Sequence, residues 1–523
     1  MTTRASADYY RRGLELAGAG RYQEGWDCLR EHLRVMPEDV GALNDAGTIL
    51  HCLGHAEDAI GLLTRAQRLQ ADSAEIVRNL VEAYLAGGRA AEAAAHFDSM
   101  ERMGSLSIDV LNRTATLLLD QGNKGLAMEV LLRSHRLWPD QEVLRPILGV
   151  IRSQRPNVAF FRNGTGEDGV LADICQFVQP RFPTDFYEGR SPDGIESLMR
   201  WSDIAWFDGG GELLVAASRQ LGPRRSAGPE IPGGPLGTWS PALLRTGGGP
   251  RILASIRRAD VRDRWAKHVL WENVSVLAQI GSCAVEEALR LEVPDLRRRT
   301  RLTVIPNGVN LRRYPLRRRD RGKRLACLGC LTMEANPGFL VQCMQKLHYL
   351  DPEYRLFFSG TFESSLLEQY VRHMVRTLDL ADVISFESHP GDLNAWLSDK
   401  EFIVAGGIGE NQVENLLAAM ACGLKPVVHN FPGVDKLLPP QYLFNIAEQF
   451  CEQILCGDYR PQEYRRLVAE RYPLEQQERI VAGILGQLEA ESEWPAAAAT
   501  GQEKKTATGH SEPPAAGAEM RQT

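Results

Sequence analysis

Two groups of residues in this 523-residue chain have types and spacing that could support chemistry. Glu410 and Glu414 open a predicted helix and lie one turn apart on the same face, where two carboxylates could contact a ligand. An acid in the first turn of a helix also stabilises the helix dipole by about 0.3–1 kcal/mol, so a purely structural role for Glu410 is the alternative. The second group is the loop 163–169, NGTGEDG, in which Gly164 and Gly166 allow close approach of the backbone to a ligand.

The ten cysteines are scattered and stand mostly in apolar runs, which is typical of buried thiols in a reducing compartment. Cys327 and Cys330 form a C-x-x-C pair that could bind a metal or act in redox chemistry. A zinc site would need a second pair of ligands at a suitable spacing, and none follows in the sequence. We therefore interpret both cysteines as small residues at the end of a buried strand.

The elements that must position these residues alternate between short apolar runs and amphipathic helical stretches, which predicts parallel sheets. The apolar runs are 157–161, 203–210, 323–331, 354–360, 382–387, 401–407 and 425–431. They predict two α/β domains, at residues 155–312 and 313–487. Residues 222–250 contain 14 glycines and prolines and predict an irregular insertion. Residues 488–523 have few large apolar side chains, so we expect a disordered tail.

An internal repeat occupies the first part of the chain. Four glycines recur every 34 residues, and a small residue follows each glycine five positions later; these are Gly20, Gly54, Gly88 and Gly122, with Gly25, Ala59, Ala93 and Ala127. The spacing predicts helix–turn–helix units with glycine at the turn and a small residue where paired helices approach closely. The pattern resembles the tetratricopeptide repeat and predicts a helical domain at residues 1–150. Stacked repeats present a concave surface, so we interpret the array as a docking site for a protein partner or acceptor, with a spacer or self-association module as the alternative.

Three segments of the second half resemble the retaining GT-B glycosyltransferases of the type-1, family-4 group. They are VIPNGVNLRRYP (304–315), GENQVENLLAAMACGLKPVVHNFPGV (409–434), and the pair YLFNIAEQF (442–450) and YRRLVAERYPLEQQ (464–477). The resemblance is strong over residues 300–485 and weaker over 157–300. It implies two Rossmann-like domains that hold a nucleotide-sugar donor in the cleft between them, with no metal and no resident cofactor.

The resemblance also implies roles for individual residues. Glu410 matches the first glutamate of the family's E-x7-E motif, which contacts the transferred sugar, and it is the predicted catalytic residue. The predicted donor-binding residues are Gly164, Gly166, Glu414, Lys425 and Gly433. Glycine loops would bring backbone N–H groups to the donor diphosphate, and a lysine would add positive charge. His268 and His389 are candidates for a general base, although an isolated histidine is more often structural.

The sequence departs from the family pattern at three positions. Ala418 replaces the second glutamate of the motif, while Cys330 and Ala335 replace the arginine and the lysine that neutralise the diphosphate. Losing one charge-assisted hydrogen bond costs about 1.5–3 kcal/mol, so an active enzyme would need other cations. Candidates are Lys425, His429 and an arginine-rich connector, which comprises Arg312, Arg313, Arg317, Arg318, Arg319, Arg321, Lys323 and Arg324. The connector could instead be a solvated linker, or it could contact an anionic membrane surface.

These features predict a glycosyltransferase that moves a sugar from a nucleoside-diphosphate donor to a glycan or protein acceptor. The alternative is a catalytically inactive relative that acts as a scaffold for protein–protein interaction. The net charge of −7 gives no bias towards nucleic acid. No apolar run is long enough to span a membrane, and the N-terminus lacks the apolar core of a signal peptide, so we expect a cytoplasmic protein.

Overall fold

The computed structural model describes residues 3–162, 169–187, 192–220, 249–261, 264–281, 284–317, 322–388, 390–410 and 412–491. A helical N-terminal region precedes two parallel sheets, each flanked by helices. This confirms the predicted fold class to the extent of a helical N-terminal region followed by two Rossmann-like domains with parallel sheets.

The N-terminal region is built from consecutive helices that pack against their neighbours along the chain. The helices are α1 Thr3–Gly18, α2 Tyr22–Val35, α3 Val40–Cys52, α4 Ala56–Leu69, α5 Ala74–Ala86, α6 Ala90–Ala94, α7 Phe97–Arg102, α8 Ile108–Asp120, α9 Lys124–Leu137 and α10 Leu144–Ser153. Asp39, Ser73 and Ser107 precede α3, α5 and α8, and each side chain accepts a backbone N–H from the first turn of its helix. Such caps satisfy N–H groups that have no partner within the helix.

Glycine occupies the turn inside each repeated unit, as the sequence predicted. Gly20, Gly54, Gly88 and Gly122 have φ angles of +78°, +82°, +71° and +75°, in the left-handed region where glycine is unstrained. The small residues five positions later are all buried. A Cβ added to Gly25 would lie 3.0 Å from the Gly13 carbonyl oxygen, so these helices are in close backbone contact.

The first sheet has the strand order β2-β1-β3-β4-β5-β6, and all neighbouring strands are parallel. Its strands are β1 Val158–Arg162, β2 Thr184–Phe186, β3 Ile204–Asp208, β4 Arg251–Ile256, β5 Val274–Ile280 and β6 Arg301–Ile305. Its helices are α11 Gly169–Val178, α12 Pro192–Trp201, α13 Glu212–Gln220, α14 Ala284–Arg290 and α15 Leu296–Arg299. The central strands β1 and β3 are buried at nearly every position because helices cover both faces of the sheet.

The second sheet is also parallel, with the order β12-β11-β10-β7-β8-β9. Its strands are β7 Arg324–Leu328, β8 Arg355–Ser359, β9 Ile384–Glu387, β10 Phe402–Ala405, β11 Lys425–His429 and β12 Leu443–Phe444. Its helices are α16 Pro337–Leu350, α17 Ser365–Thr377, α18 Leu393–Leu397, α19 Val413–Ala421, α20 Val434–Leu437, α21 Ala447–Leu455 and α22 Pro461–Arg471. Every apolar run assigned to this half from the sequence contains one of these strands.

The last helix, α23 (Leu474–Glu491), returns to the first sheet. Its apolar side chains Val481 and Leu485 share a buried cluster with Trp206 of β3. The junction after β6 packs tightly on the same helix, since a Cβ on Gly308 would lie 2.8 Å from the Gln477 side-chain oxygen. The glycine of the I-P-N-G segment is therefore explained by close packing of the two elements.

Ion pairs attach both the helical region and α23 to the first sheet. Arg181, which follows α11, lies 2.5 Å from Glu129 of α9 and stacks on Phe177. Arg155 precedes β1 and donates hydrogen bonds from Nε and Nη2 to Glu489 of α23, the shorter at 2.8 Å. Both arginine side chains are largely buried, so these contacts exclude water and restrict motion between the elements. None of the described helices is long and apolar enough to cross a membrane.

Candidate functional site

The carboxyl ends of the two sheets face one another across a crevice. Arg257 follows β4 of the first sheet, and its Nε lies 3.6 Å from Oε1 of Glu414, which stands in the first turn of α19 in the second domain. Ligands of open α/β folds bind at the carboxyl ends of parallel strands, where loops and helix N-termini converge. The crevice is therefore the natural binding region of this fold.

The first domain supplies a charged wall made by three adjacent strands. Arg162 ends β1 opposite Asp208 of β3, and Asp208 stands opposite Ser255 of β4. Ser255 donates a hydrogen bond of 2.8 Å to Asp208, and Arg257 Nη1 lies 3.4 Å from the same carboxylate. The Asp208 carboxylate thus orients Arg257 towards the crevice.

Arg162 has a different environment from Arg257. Its Nη2 donates to the Cys175 sulfur at 3.5 Å, and its buried Nε has no hydrogen-bond partner among the described residues. Burial raises the pKa of the Cys175 thiol despite the opposing effect of the Arg162 guanidinium, so the thiol is a neutral partner. Arg162 therefore has an Nε–H group, at the carboxyl end of β1, that can still donate a hydrogen bond to a ligand.

The second domain contributes Glu410 and Gly433 from the loops that follow β10 and β11. Gly433 has φ +92°, and a Cβ added there would lie 3.9 Å from Oε1 of Glu410. Helix α19 begins at Val413, so Glu410 lies in the preceding loop, and Glu414 is the acid of the first turn. The expectation that Glu410 opens the helix was wrong, because the glycine-containing chain after β10 forms a bend before the helix starts. The helix-dipole alternative accordingly applies to Glu414 rather than to Glu410.

Gln412 lies deeper in the same wall and was not singled out from the sequence. Its side chain is only 7% exposed, its Nε2 has a weak 3.9 Å contact to the Cys327 sulfur, and its Oε1 has no partner within the described part of the chain. It lines a small depression of about 10 Å³, roughly the space of one water molecule, together with Ala405, Gly407, Gly409, Val413, Leu416, Val428 and Phe431. A buried acceptor without a partner costs about 1–3 kcal/mol, so this amide is suited to a ligand hydroxyl or N–H group.

Of the remaining predicted residues, three are not described by the structure, and Lys425 lies at the other edge of its sheet. Gly164, Gly166 and His389 fall outside the described residues. Lys425 starts β11, at the amino edge of the sheet, and its buried ammonium donates to the Gln453 carbonyl at 2.6 Å. The structure therefore does not bring Lys425 together with Glu410. His268 is exposed in a turn before β5.

His429 ends β11 at the crevice side, where its Nδ1 lies 3.1 Å from the Gly407 carbonyl oxygen. Of the arginine-rich connector, Arg318, Arg319 and Arg321 fall outside the described residues, and Lys323 and Arg324 are paired away from Glu410. Lys323 pairs with Asp351 and Glu353 at the amino end of β7, and Arg324 pairs with Asp399. Arg313 is exposed and lies near Asp173 of α11, where it opposes the rise in pKa that burial causes in this carboxyl group.

The three departures from the family pattern are visible in the packing. Ala418 and Ala335 are buried, at 5% and 2% exposure, so no polar group reaches the crevice from these positions. Cys330 is exposed, and its sulfur donates to the Thr361 carbonyl. Cys327 is buried at the end of β7, and burial raises its pKa to about 12. Within the described ranges, no three His, Cys, Asp or Glu side chains form a group that could hold a metal ion.

The arrangement can therefore offer two kinds of contact to one ligand. Arg257 and Arg162 present positive charge from the first domain, whereas Glu410 and Gln412 present oxygen acceptors from the second. A ligand that carries both a polyanion and hydroxyl groups would match this distribution.

No protein-family model and no curated protein matches the chain. Several solved glycosyltransferases resemble it in structure. Anabaena HepE, solved in complex with UDP and glucose, has 10% identity and a TM-score of 0.47 over 63% of this chain and 99% of that chain. A glycosyltransferase from Rickettsia africae has 12% identity and a TM-score of 0.45 over 65% of this chain and 100% of that chain.

A Thermobaculum terrenum O-GlcNAc transferase mutant aligns over 94% of this chain and 96% of its own, with 13% identity and a TM-score of 0.36. Similarities at these sequence identities and TM-scores concern the fold, and they do not establish a substrate or an activity for this chain.

Proposed function

We propose that this protein is a glycosyltransferase that transfers a sugar from a nucleoside-diphosphate donor bound in the crevice. The observation that supports the proposal is the contact of Arg257 with Glu414, because it brings an arginine of the first domain to the helix that follows the Glu410 loop. The positive charge that the family takes from positions 330 and 335 is here available from the other domain. No metal is needed, because arginines can stabilise the departing diphosphate.

Each residue has a distinct role in this proposal. Arg257 contacts the diphosphate, and Arg162 adds a second cation at the neighbouring strand. Glu410 accepts a hydrogen bond from a hydroxyl of the transferred sugar, while Gly433 keeps the space in front of that carboxylate open. Gln412 accepts a further hydrogen bond from the donor, which satisfies its buried oxygen. Sugar transfer with retention of configuration follows from the family resemblance.

The helical region, which resembles tetratricopeptide repeats, would dock a glycan or protein acceptor. The ion pairs Arg181–Glu129 and Arg155–Glu489 support this role because they hold the array and α23 against the first domain. A docked acceptor would therefore keep a defined position relative to the crevice. A small acceptor would not need such an array.

A non-catalytic binding protein is the second candidate. It is favoured by the apolar residues at positions 335 and 418 and by the two carboxylates around Arg257, which compete with a diphosphate for this cation. In that case the crevice is a remnant of an enzyme, and the helical array carries the function through a protein partner.

Calorimetric titration of the full chain with a panel of nucleoside diphosphates and their sugars tests the proposal. At least one member should bind, and Glu410→Gln should abolish sugar transfer while the diphosphate still binds. Glu470→Gln on α22 is the matched control, because the Glu470 carboxylate is 68% exposed and lies 3.9 Å from Arg466 of the same helix. Absence of binding at millimolar concentration, or full turnover by Glu410→Gln, contradicts the enzyme assignment.

A further inference from the structure

Lys425 has an unusual environment that the proposed function does not use. It is only 5% exposed, yet none of the described carboxylates lies within ion-pair distance of its ammonium. The ammonium donates to the Gln453 carbonyl at 2.6 Å and to the Cys456 sulfur at 3.1 Å. A buried ammonium is costly unless an anion accompanies it, and Cys456 is the neighbour that can become one.

The fold holds these two side chains together. Lys425 starts β11, while Gln453 lies in the last turn of α21 and Cys456 is the residue that ends this helix. Lys425 thus binds the carbonyl end of α21, where cations are favoured. The Cys456 backbone N–H donates to the Glu452 carbonyl, and its thiol donates to the Gln453 carbonyl at 3.2 Å, so the sulfur lies beside the same carbonyl that Lys425 binds.

Cys456 is exposed although Lys425 is buried, so a reagent can reach the sulfur from solvent. Partial burial raises the pKa of the Cys456 thiol, but the Asp458 backbone N–H and the Lys425 ammonium outweigh this effect, and the pKa lies below its ordinary value. The Asp458 carboxylate acts in the opposite direction, and its ion pair with Arg460 at 2.8 Å weakens that influence. The thiolate, not the thiol, is the nucleophile in cysteine chemistry.

We propose that Cys456, paired with Lys425, is a modification site that hydroperoxides and other soft electrophiles attack in preference to Cys330 and Cys52, the other exposed thiols among the described residues. With hydrogen peroxide, the thiolate sulfur attacks one peroxide oxygen, an S–O bond forms and the O–O bond breaks. The departing hydroxide takes up a proton and leaves as water. Sulfur loses two electrons to the peroxide and becomes a sulfenic acid.

The structure provides matched comparisons within the same chain. Cys330 and Cys52 are also exposed. The Cys330 thiol donates to the Thr361 carbonyl much as the Cys456 thiol donates to the Gln453 carbonyl, but only the Cys456 sulfur also accepts a hydrogen bond from the Lys425 ammonium. The full chain is pulsed with limiting iodoacetamide, or with hydrogen peroxide and dimedone, and each cysteine peptide is quantified by mass spectrometry. At pH 7 we expect Cys456 to react at least about threefold faster than Cys330 and Cys52, and this advantage should shrink above pH 9 as the other thiols ionise.

Lys425→Gln should lower the Cys456 rate to that of Cys330, with the fold checked by circular dichroism. The pH profile of the unaltered protein needs no substitution and decides the matter if this variant fails to fold. Equal rates for the three cysteines at pH 7, or an unchanged Cys456 rate in folded Lys425→Gln protein, would overturn the proposal.

Discussion

Arg257 and Glu414 meet across the crevice, and neutralising one or the other should change diphosphate affinity in opposite directions. Arg257→Gln removes a charge-assisted contact to the diphosphate, which is worth about 1.5–3 kcal/mol. This corresponds to a loss of about 10- to 150-fold in affinity, because each 1.4 kcal/mol is tenfold. The matching nucleoside, which lacks phosphates, should bind both proteins equally.

Glu414→Gln should have the reverse effect. The Glu414 carboxylate lies 3.6 Å from the Arg257 guanidinium, so it competes with the ligand for this cation. Both side chains are partly exposed, and pairs of this kind contribute about 0.2–1 kcal/mol. We expect diphosphate affinity to rise by up to about fivefold. If Glu414 instead binds the donor, as the sequence predicted, the same substitution lowers affinity.

Titration calorimetry at two salt concentrations measures both effects. Arg257→Lys keeps the charge but loses the planar guanidinium, so it should restore only part of the affinity. Glu470→Gln controls for the loss of an exposed carboxylate in the same domain. Unchanged diphosphate affinity in Arg257→Gln refutes the role of this arginine, even if the protein transfers sugar by other means.

Three further predictions concern stability and its relation to the site. Gln412→Leu should raise the melting temperature, because it removes a buried oxygen that has no partner among the described residues and costs about 1–3 kcal/mol. The same variant should bind the donor more weakly, and a lower melting temperature would show that the amide is already satisfied. Arg155→Gln should destabilise the chain by about 1.5–3 kcal/mol in urea unfolding, because it breaks the paired hydrogen bonds to Glu489; no change would mean that α23 is held by apolar packing alone. Burial raises the pKa of Glu478, so the folded state favours the protonated form and loses stability as the pH rises through this raised pKa. Glu478→Gln should therefore raise the melting temperature at pH 7 but not at pH 4, whereas Glu470→Gln, which removes a carboxylate that is 68% exposed, should do neither. Equal shifts at both pH values would contradict the burial effect.

The sequence determined the architecture because periodic patterns report local geometry and burial directly. A glycine every 34 residues predicted turns with positive φ, and the structure has them at Gly20 and its three equivalents. Continuous apolar runs predicted the strands of the second sheet. The spacing between the Glu410 and Gly433 segments could also be read along the chain, because these residues follow the adjacent strands β10 and β11.

The opposite wall of the crevice, in contrast, could be identified only from the tertiary structure. Arg257 follows β4, a strand that was not assigned from the sequence, and it reaches Glu414 across more than a hundred and fifty residues of chain. The one available signal was the Arg-Arg pair after the apolar run ILASI. Similarly, Gln412 was recognisable only once its buried oxygen could be seen without a partner.

Lys425 shows most clearly why position along the chain is not position in the site. It stands four residues before His429, which lies at the crevice, but a strand rises about 3.3 Å per residue and separates the two by about 13 Å. Lys425 therefore binds the end of α21 at the opposite edge of the sheet. The sequence alone determines which elements form and which faces are buried, whereas strand order and the facing of two domains decide which side chains meet, because those contacts join residues that no local pattern relates.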